Sequence, residues 1–238
     1  PQQPGFERRN TENGNLLTAL PIGGSVSIFH SSQSLELQNG KPRDDEGFGE
    51  GFVAVGRLTP MTSSGGYTIE RRASDGAIIR YSRKSSGPFL SENREFGDTT
   101  QVVAISGGFE VQLPDGTRYL YTTKIGESYY PTKAIDPLGR ETQFSFTGKV
   151  LTQVKDVALN RVTSLSLGSD GHVSEVSDFN GLKTRLSYQS GQLTGVTYPD
   201  GNGYTLAYDR DGFGFITQAT TPDNSTNSYA YYQFGILR

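Results

Sequence analysis

The sequence predicts an all-β chain in which tandem β-hairpin repeats form a continuous curved or spiralling antiparallel sheet. Three observations predict it. No stretch sustains apolar residues at helical spacing between capping residues. Asp-Gly and Asn-Gly pairs recur along the whole chain. An apolar–small–apolar triplet returns about every 20 residues in the second half.

The turn signals come first. Asp-Gly stands at Asp75-Gly76, Asp115-Gly116, Asp170-Gly171, Asp200-Gly201 and Asp211-Gly212, and Asn-Gly at Asn13-Gly14, Asn39-Gly40 and Asn180-Gly181. Asn, Asp and Gly tolerate positive φ at low cost, so these pairs suit hairpin turns. The flanking segments alternate apolar and polar residues. Residues 66–70 lead to Asp75-Gly76 and 78–81 lead away; 109–113 run to Asp115-Gly116 and 117–121 return. Both read as β-hairpins.

From about residue 130 the alternation becomes periodic. Phe144-Ser145-Phe146, Leu165-Ser166-Leu167, Leu186-Ser187-Tyr188 and Leu206-Ala207-Tyr208 follow one another at intervals of 21, 21 and 20 residues, and Tyr229-Ala230-Tyr231 continues the series. Period-2 alternation sets one bulky stripe on a single sheet face. A second strand accompanies each triplet, with apolar pairs Leu151/Val154, Val173/Val176, Leu193/Val196 and Ile216/Ala219. The three-residue spacing of these pairs does not fit plain alternation. It implies either a bulged or bent strand or one covered on both faces. A lone hairpin of this size cannot bury its own apolar side, so such units must stack on their neighbours. The chain thus divides into an N-terminal β-hairpin region, residues 1–129, and tandem repeats over 130–238.

Composition narrows the function. The chain has 238 residues, a net charge of −3, 30 Gly and no Cys, and only 33% of it is hydrophobic. Absence of cysteine excludes disulfide scaffolds, thiol nucleophiles and cysteine metal sites. A mildly acidic balance gives nucleic acid no electrostatic attraction. No apolar run approaches the ~20 residues of a membrane helix. The basic cluster Arg71, Arg72, Arg80, Arg83 and Lys84 reads as a solvated strand face. Pro1-Gln2-Gln3-Pro4 lacks the features of a signal peptide, and the chain is expected to lie inside a longer product.

Catalytic motifs do not assemble. His30 and His172, the only histidines, lie in different halves, and no nucleophile elbow accompanies them. Asp44-Asp45-Glu46 reads as a solvated loop, since adjacent carboxylates point in different directions and calcium requires spaced ligands. No carboxylate pair stands out for glycoside hydrolysis. The expectation is therefore a protein that is not an enzyme, with no cofactor and no metal. One binding feature remains, a run of tyrosines: Tyr129, Tyr130, Tyr188, Tyr204, Tyr208, Tyr229, Tyr231 and Tyr232. They suit a platform for sugar rings, against which stands the stronger tendency of aromatic residues to pack across strands.

The second half resembles the RHS/YD repeats. Tyr208-Asp209-Arg210-Asp211-Gly212 fits the family's Tyr-Asp-x-x-Gly signature. Gly191 through Val196 fits its Gly-Arg-Leu-Thr stretch, and Asp136 through Thr142, with Gly139, fits its Asp-x-x-Gly turn. Asp156 and Asp178 (with Gly181) take the place of Asp136, whereas Tyr198 and Thr221 replace it later. Looser likeness extends upstream through residues 14–17, 47–49 and 57–59. Only one repeat keeps the Tyr-Asp pair, and the family's closing core with its autoproteolytic aspartates has no counterpart here. The resemblance implies a secreted, extracellular or cell-surface protein whose long β-sheet winds into a hollow shell around a toxin cargo, or serves adhesion. This chain would supply part of that wall, with open sheet edges meeting the remainder of a longer chain, a partner subunit or another copy. Glycans are the other expected partner.

Overall fold

The computed structural model describes residues 7–9, 16–31, 45–63, 66–73, 77–83, 86–209 and 214–231. Within them the chain is all-β, with twenty-one strands and a single 3-10 turn at Arg94–Phe96. The predicted turns at Asn13-Gly14, Asn39-Gly40, Asp75-Gly76 and Asp211-Gly212 lie outside the described residues, as do Asp44, Lys84, Arg210 and Tyr232. Two compact units are present: residues 1–54, 150–152 and 163–238 form one, and 55–149 with 153–162 form the other.

The first unit opens with a four-stranded antiparallel sheet in sequence order. Its strands are β1 (Glu7–Arg9), β2 (Leu16–Gly23), β3 (Val26–Ser31) and β4 (Phe52–Val53). Leu20, Ile22, Ile28 and Phe52 are wholly buried. Ahead of β4 the segment 45–51 runs as bends and turns.

The other unit is an up-and-down meander. Its strands are β5 (Arg57–Ser63), β6 (Gly66–Arg72), β7 (Ile78–Ser82), β8 (Phe89–Ser91), β9 (Gln101–Ile105), β10 (Gly108–Gln112), β11 (Arg118–Ile125) and β12 (Ser128–Ile135). Each pairs with its successor, and β12 returns to β5 through Tyr129 opposite Leu58. Eight strands therefore close into a ring, and closure removes the sheet edges that an open hairpin stack would expose. The interior is filled, as the width of an eight-stranded ring permits. Leu58, Ile69, Tyr81, Phe89, Val102, Phe109, Val111 and Tyr121 form one core.

Strand β12 serves two neighbours. Its first half closes the ring, and Lys133–Ile135 pair with β13 (Glu141–Thr147). Paired bulges produce the change of course. Thr122 and Thr132 drop out of the β11–β12 ladder, their hydroxyls lie 2.7 Å apart, and the Thr132 hydroxyl donates to Leu120 O at 3.2 Å. Strand β14 (Val150–Asp156) follows.

The expected solvated basic face does not form. Arg71 shares the inward side of β6 with Ile69, beside Tyr81 and Tyr121, and Arg72 is 5% exposed. Among the described residues of the cluster only Arg80 and Arg83 are exposed. Alternation along two paired strands distributes the cluster over both faces.

The first unit's other sheet is a meander of β15 (Arg161–Leu167), β16 (Val173–Ser177), β17 (Lys183–Gln189), β18 (Gln192–Thr197), β19 (Gly203–Tyr208), β20 (Ile216–Thr220) and β21 (Thr226–Ser228). The three-residue apolar spacing has a definite cause here. Ser174, Thr194 and Thr217 are each skipped by the ladder, so two residues oppose one. A bulge shifts the alternation by one residue. Val173 with Val176, Leu193 with Val196, and Ile216 with Ala219 therefore all face inward and are buried. Each skipped residue donates its hydroxyl across the ladder, to Ser166 O, Ser187 O and Ala207 O at 3.1–3.3 Å.

The turns share one geometry. In the loops starting at Leu113, Asp136, Gly168, Asp178, Tyr198 and Thr221, the fourth residue's N–H donates to the first residue's carbonyl, and the first N–H donates to the fifth carbonyl. The fourth residue is Gly at φ +80° to +89°, or Asn224 at +64°. This is a type I turn closed by a glycine bulge. Positive φ is confined to the fourth residue, and the aspartate has a separate task. A carboxylate at the first position (Asp136, Asp178) or the third (Asp115, Asp170, Asp200, Asp223) accepts the fifth residue's N–H at 2.8–3.2 Å. Asp156 stands one residue before its turn, which runs Val157–Asn160, and its Oδ1 accepts Leu159 N–H at 3.0 Å.

Candidate functional site

The tyrosines are placed by the bulges. A bulge leaves the first apolar residue of the strand without regular ladder geometry, and a phenol fills the gap. Tyr188 donates to Val173 O at 2.9 Å, Tyr208 to Leu193 O at 2.6 Å and Tyr231 to Ile216 O at 2.7 Å. The separation is 15 residues each time. The tyrosine of the triplet thus bonds across the sheet to the strand before its own. Burial raises the pKa of the Tyr188 hydroxyl, with the nearby Asp45 and Asp170 charges adding to the effect. It stays a neutral donor throughout the physiological range.

The candidate binding tyrosines are therefore largely engaged. Tyr188, Tyr208 and Tyr231 are partly buried with committed hydroxyls, and Tyr204 is 8% exposed with its ring edge-on to Tyr198 at 6.1 Å. Tyr231 stacks on Phe215 at 4.9 Å. Tyr229 is half-buried, its hydroxyl enclosed without a hydrogen-bond partner. Of the upstream pair, Tyr130 is buried against Phe146 and Tyr129 lines the ring's rim. The remaining signature residues lie at turns. Gly191 forms a two-residue hairpin loop with Ser190, both at positive φ, and Asp209 closes its loop through Phe215 N–H at 2.8 Å. Gly212 is outside the described residues.

An ionic cluster at the sheet surface, partly buried, sits at His172, the fifth residue of its turn. Its Nε2 lies 2.7 Å from Asp45 Oδ2, its Nδ1 lies 3.0 Å from Asp170 Oδ2 as an ion-pair contact without hydrogen-bond alignment, and its ring stacks on Tyr188 at 4.6 Å. Burial alone would lower the imidazole pKa; the Asp45 hydrogen bond and the charges of Asp45 and Asp170 outweigh it and raise the pKa above 6.5. Asp170 is held below the usual carboxylate range chiefly by the His172 backbone N–H. Next to this cluster, Val173 N–H donates to Gly47 O at 2.7 Å, and Gly47 N–H donates to Asp45 Oδ1.

Both ring nitrogens already face carboxylates, so the cluster acts as an electrostatic clasp between the 168–172 turn and the 45–47 segment. It presents no free nitrogen to a substrate. The expected solvated loop is thereby corrected: Glu46 is 3% exposed and Asp45 is engaged. The same segment continues over the sheet. Glu50 N–H donates to Gly191 O, and Gly49 lies so close that a Cβ would stand 2.8 Å from Leu193 N. Among the described residues no group of three or more His, Cys, Asp or Glu has metal-holding geometry, and no helix is long and apolar enough to cross a membrane. Sequence reasoning missed Asp45 as the partner of His172. Contacts between residues 127 positions apart leave no local pattern to read.

No family model matches the chain, and no curated protein matches it.

Proposed function

We propose that the chain is a non-catalytic structural segment of an RHS/YD-type secreted or exported protein, forming part of a β-shell wall. The observation that carries this reading is the phenol-to-carbonyl bond repeated at a 15-residue separation from three successive hairpins. Each bond ties a hairpin to its predecessor through main chain, which suits a sheet that extends by adding like units. The polar side chains of the turns and of His172 are spent in the same way. The turn carboxylates accept their own backbone N–H groups, and His172 clamps a covering segment.

The test is electron cryomicroscopy of the natural full-length product. The proposal expects a hollow β-shell with residues 141–228 lying in its wall, neighbouring hairpins paired in sequence order. A solid globular product carrying this chain as an appended module would refute it.

A further inference from the structure

We infer that the mouth of the eight-stranded ring is a binding groove for a short acidic oligosaccharide, that is, pyranose rings carrying carboxylates. The inference stands independently of the wall reading, and its residues all lie in the 55–149 part of the chain.

Six side chains frame the pocket at one end of the ring, a cavity of about 510 Å³: Tyr67, Arg83, Phe89, Phe109, Lys124 and Tyr129. That volume is of ligand size. The ring's own core fills the interior below, so a ligand sits on the mouth and does not enter. Tyr67 meets Phe89 at 5.6 Å, and Phe109 meets Tyr129 edge-to-face at 5.1 Å. The Arg83 guanidinium lies 4.5 Å over Phe89, and the Lys124 ammonium 5.7 Å over Tyr129. Neither cation has a carboxylate partner among the described residues, although five of the six lysine or arginine ion pairs described in the 55–149 segment and the β15–β18 strands link neighbouring strands. Two cations thus line one concavity together with the aromatic faces over which they lie. A guanidinium fork matches a carboxylate.

The class of anion follows from the adjoining lobe. A second cavity of about 780 Å³ shares Tyr67, Lys124 and Tyr129 and is lined by Arg57, Glu70 and Glu127 and by the Thr59 and Ser128 hydroxyls, which lie 2.8 Å apart and bond each other. The two cavities adjoin along those three shared residues. A flat aromatic acid would fill only the first lobe and leave the hydroxyl-lined one wet. A chain of sugar rings uses both, because aromatic faces take the apolar faces of the pyranoses, the cations take the carboxylate and the second lobe takes ring hydroxyls. Burial raises the Tyr67 hydroxyl's pKa, and the Tyr129 hydroxyl beside it adds to the effect, so it serves as a neutral hydrogen-bonding group.

The experiment is isothermal titration of the intact chain with oligogalacturonate and with a cello-oligosaccharide of equal length, repeated in raised salt. A second chain carries Arg83→Gln with Lys124→Gln, both exposed positions, and circular dichroism checks its fold. Saturable binding of the acidic oligosaccharide, at least about tenfold tighter than the neutral one and weakened at least about tenfold by the double substitution, is the expected result. Absence of saturable binding, equal affinity for the neutral oligosaccharide, or unchanged affinity in the correctly folded double variant would each overturn the inference. Electrostatic recognition also requires the affinity to fall with added salt.

Discussion

Removing the phenol hydroxyls tests whether the tyrosines hold the sheet together. The perturbation is Tyr188→Phe, Tyr208→Phe and Tyr231→Phe, singly and combined, each deleting one oxygen and leaving the ring in place. A neutral hydrogen bond contributes about 0.5–1.5 kcal/mol net, and a buried acceptor left bare costs about 1–3 kcal/mol. Val173, Leu193 and Ile216, whose carbonyls accept the three bonds, are at most 1% exposed. About 1–2 kcal/mol per substitution follows. The three bonds use separate acceptors, so their effects should be close to additive. The triple variant then loses about 3–5 kcal/mol, a large share of the 5–15 kcal/mol typical of a folded domain. Urea unfolding followed by circular dichroism measures it, with an unchanged slope showing that the same surface is exposed. Tyr67→Phe is the control, since that ring is 40% exposed and its loss should stay within about 0.5 kcal/mol. A triple variant as stable as the control would refute the reasoning.

Other predictions follow from the same geometry. Gly49→Ala places a methyl 2.8 Å from Leu193 N at φ +87° and should cost about 2–4 kcal/mol in the same assay. Asp178→Ala strips the acceptor from Asn180 and Leu182 N–H and should cost about 1 kcal/mol, whereas Asp178→Asn, which keeps an acceptor oxygen, should cost less. For His172 the folded pKa is raised, so its stabilising contribution is complete below the unfolded value of 6.5 and is lost as pH rises through the folded value. The stability gap between the parent chain and His172→Gln should therefore narrow from mildly acid to alkaline pH in a series of urea melts, and a gap that widens would contradict the clasp.

What the sequence reveals and conceals follows from the range of each interaction. The turns were readable because an Asp-x-x-Gly loop is settled by its own five residues, as at 136–140 and 178–182. Strand positions were readable because alternation is local, and the 66–81 and 109–121 hairpins form as predicted. The bulge at Thr194 was half readable, since the Leu193/Val196 spacing showed a fault in the alternation without its cause. The Asp-Gly pairs at 115–116, 170–171 and 200–201 form the expected turns for a partly different reason, because the aspartate serves as a carboxylate and keeps negative φ. Closure of the ring was not readable. It depends on one pairing, Tyr129 with Leu58, between residues 71 positions apart in the chain. The clasp at His172 and the inward turn of Arg71 escaped for the same reason, as did the rim that gathers Tyr67, Arg83, Lys124 and Tyr129 from four separate strand ends.

A crystal structure of the chain at a resolution that fixes side-chain oxygens gives the most direct test. The account predicts strands 161–220 paired in sequence order, with the Tyr188, Tyr208 and Tyr231 oxygens within about 3 Å of the Val173, Leu193 and Ile216 carbonyls. Phenols turned to solvent, or a ladder that runs through Ser174, Thr194 and Thr217 without a bulge, would contradict it.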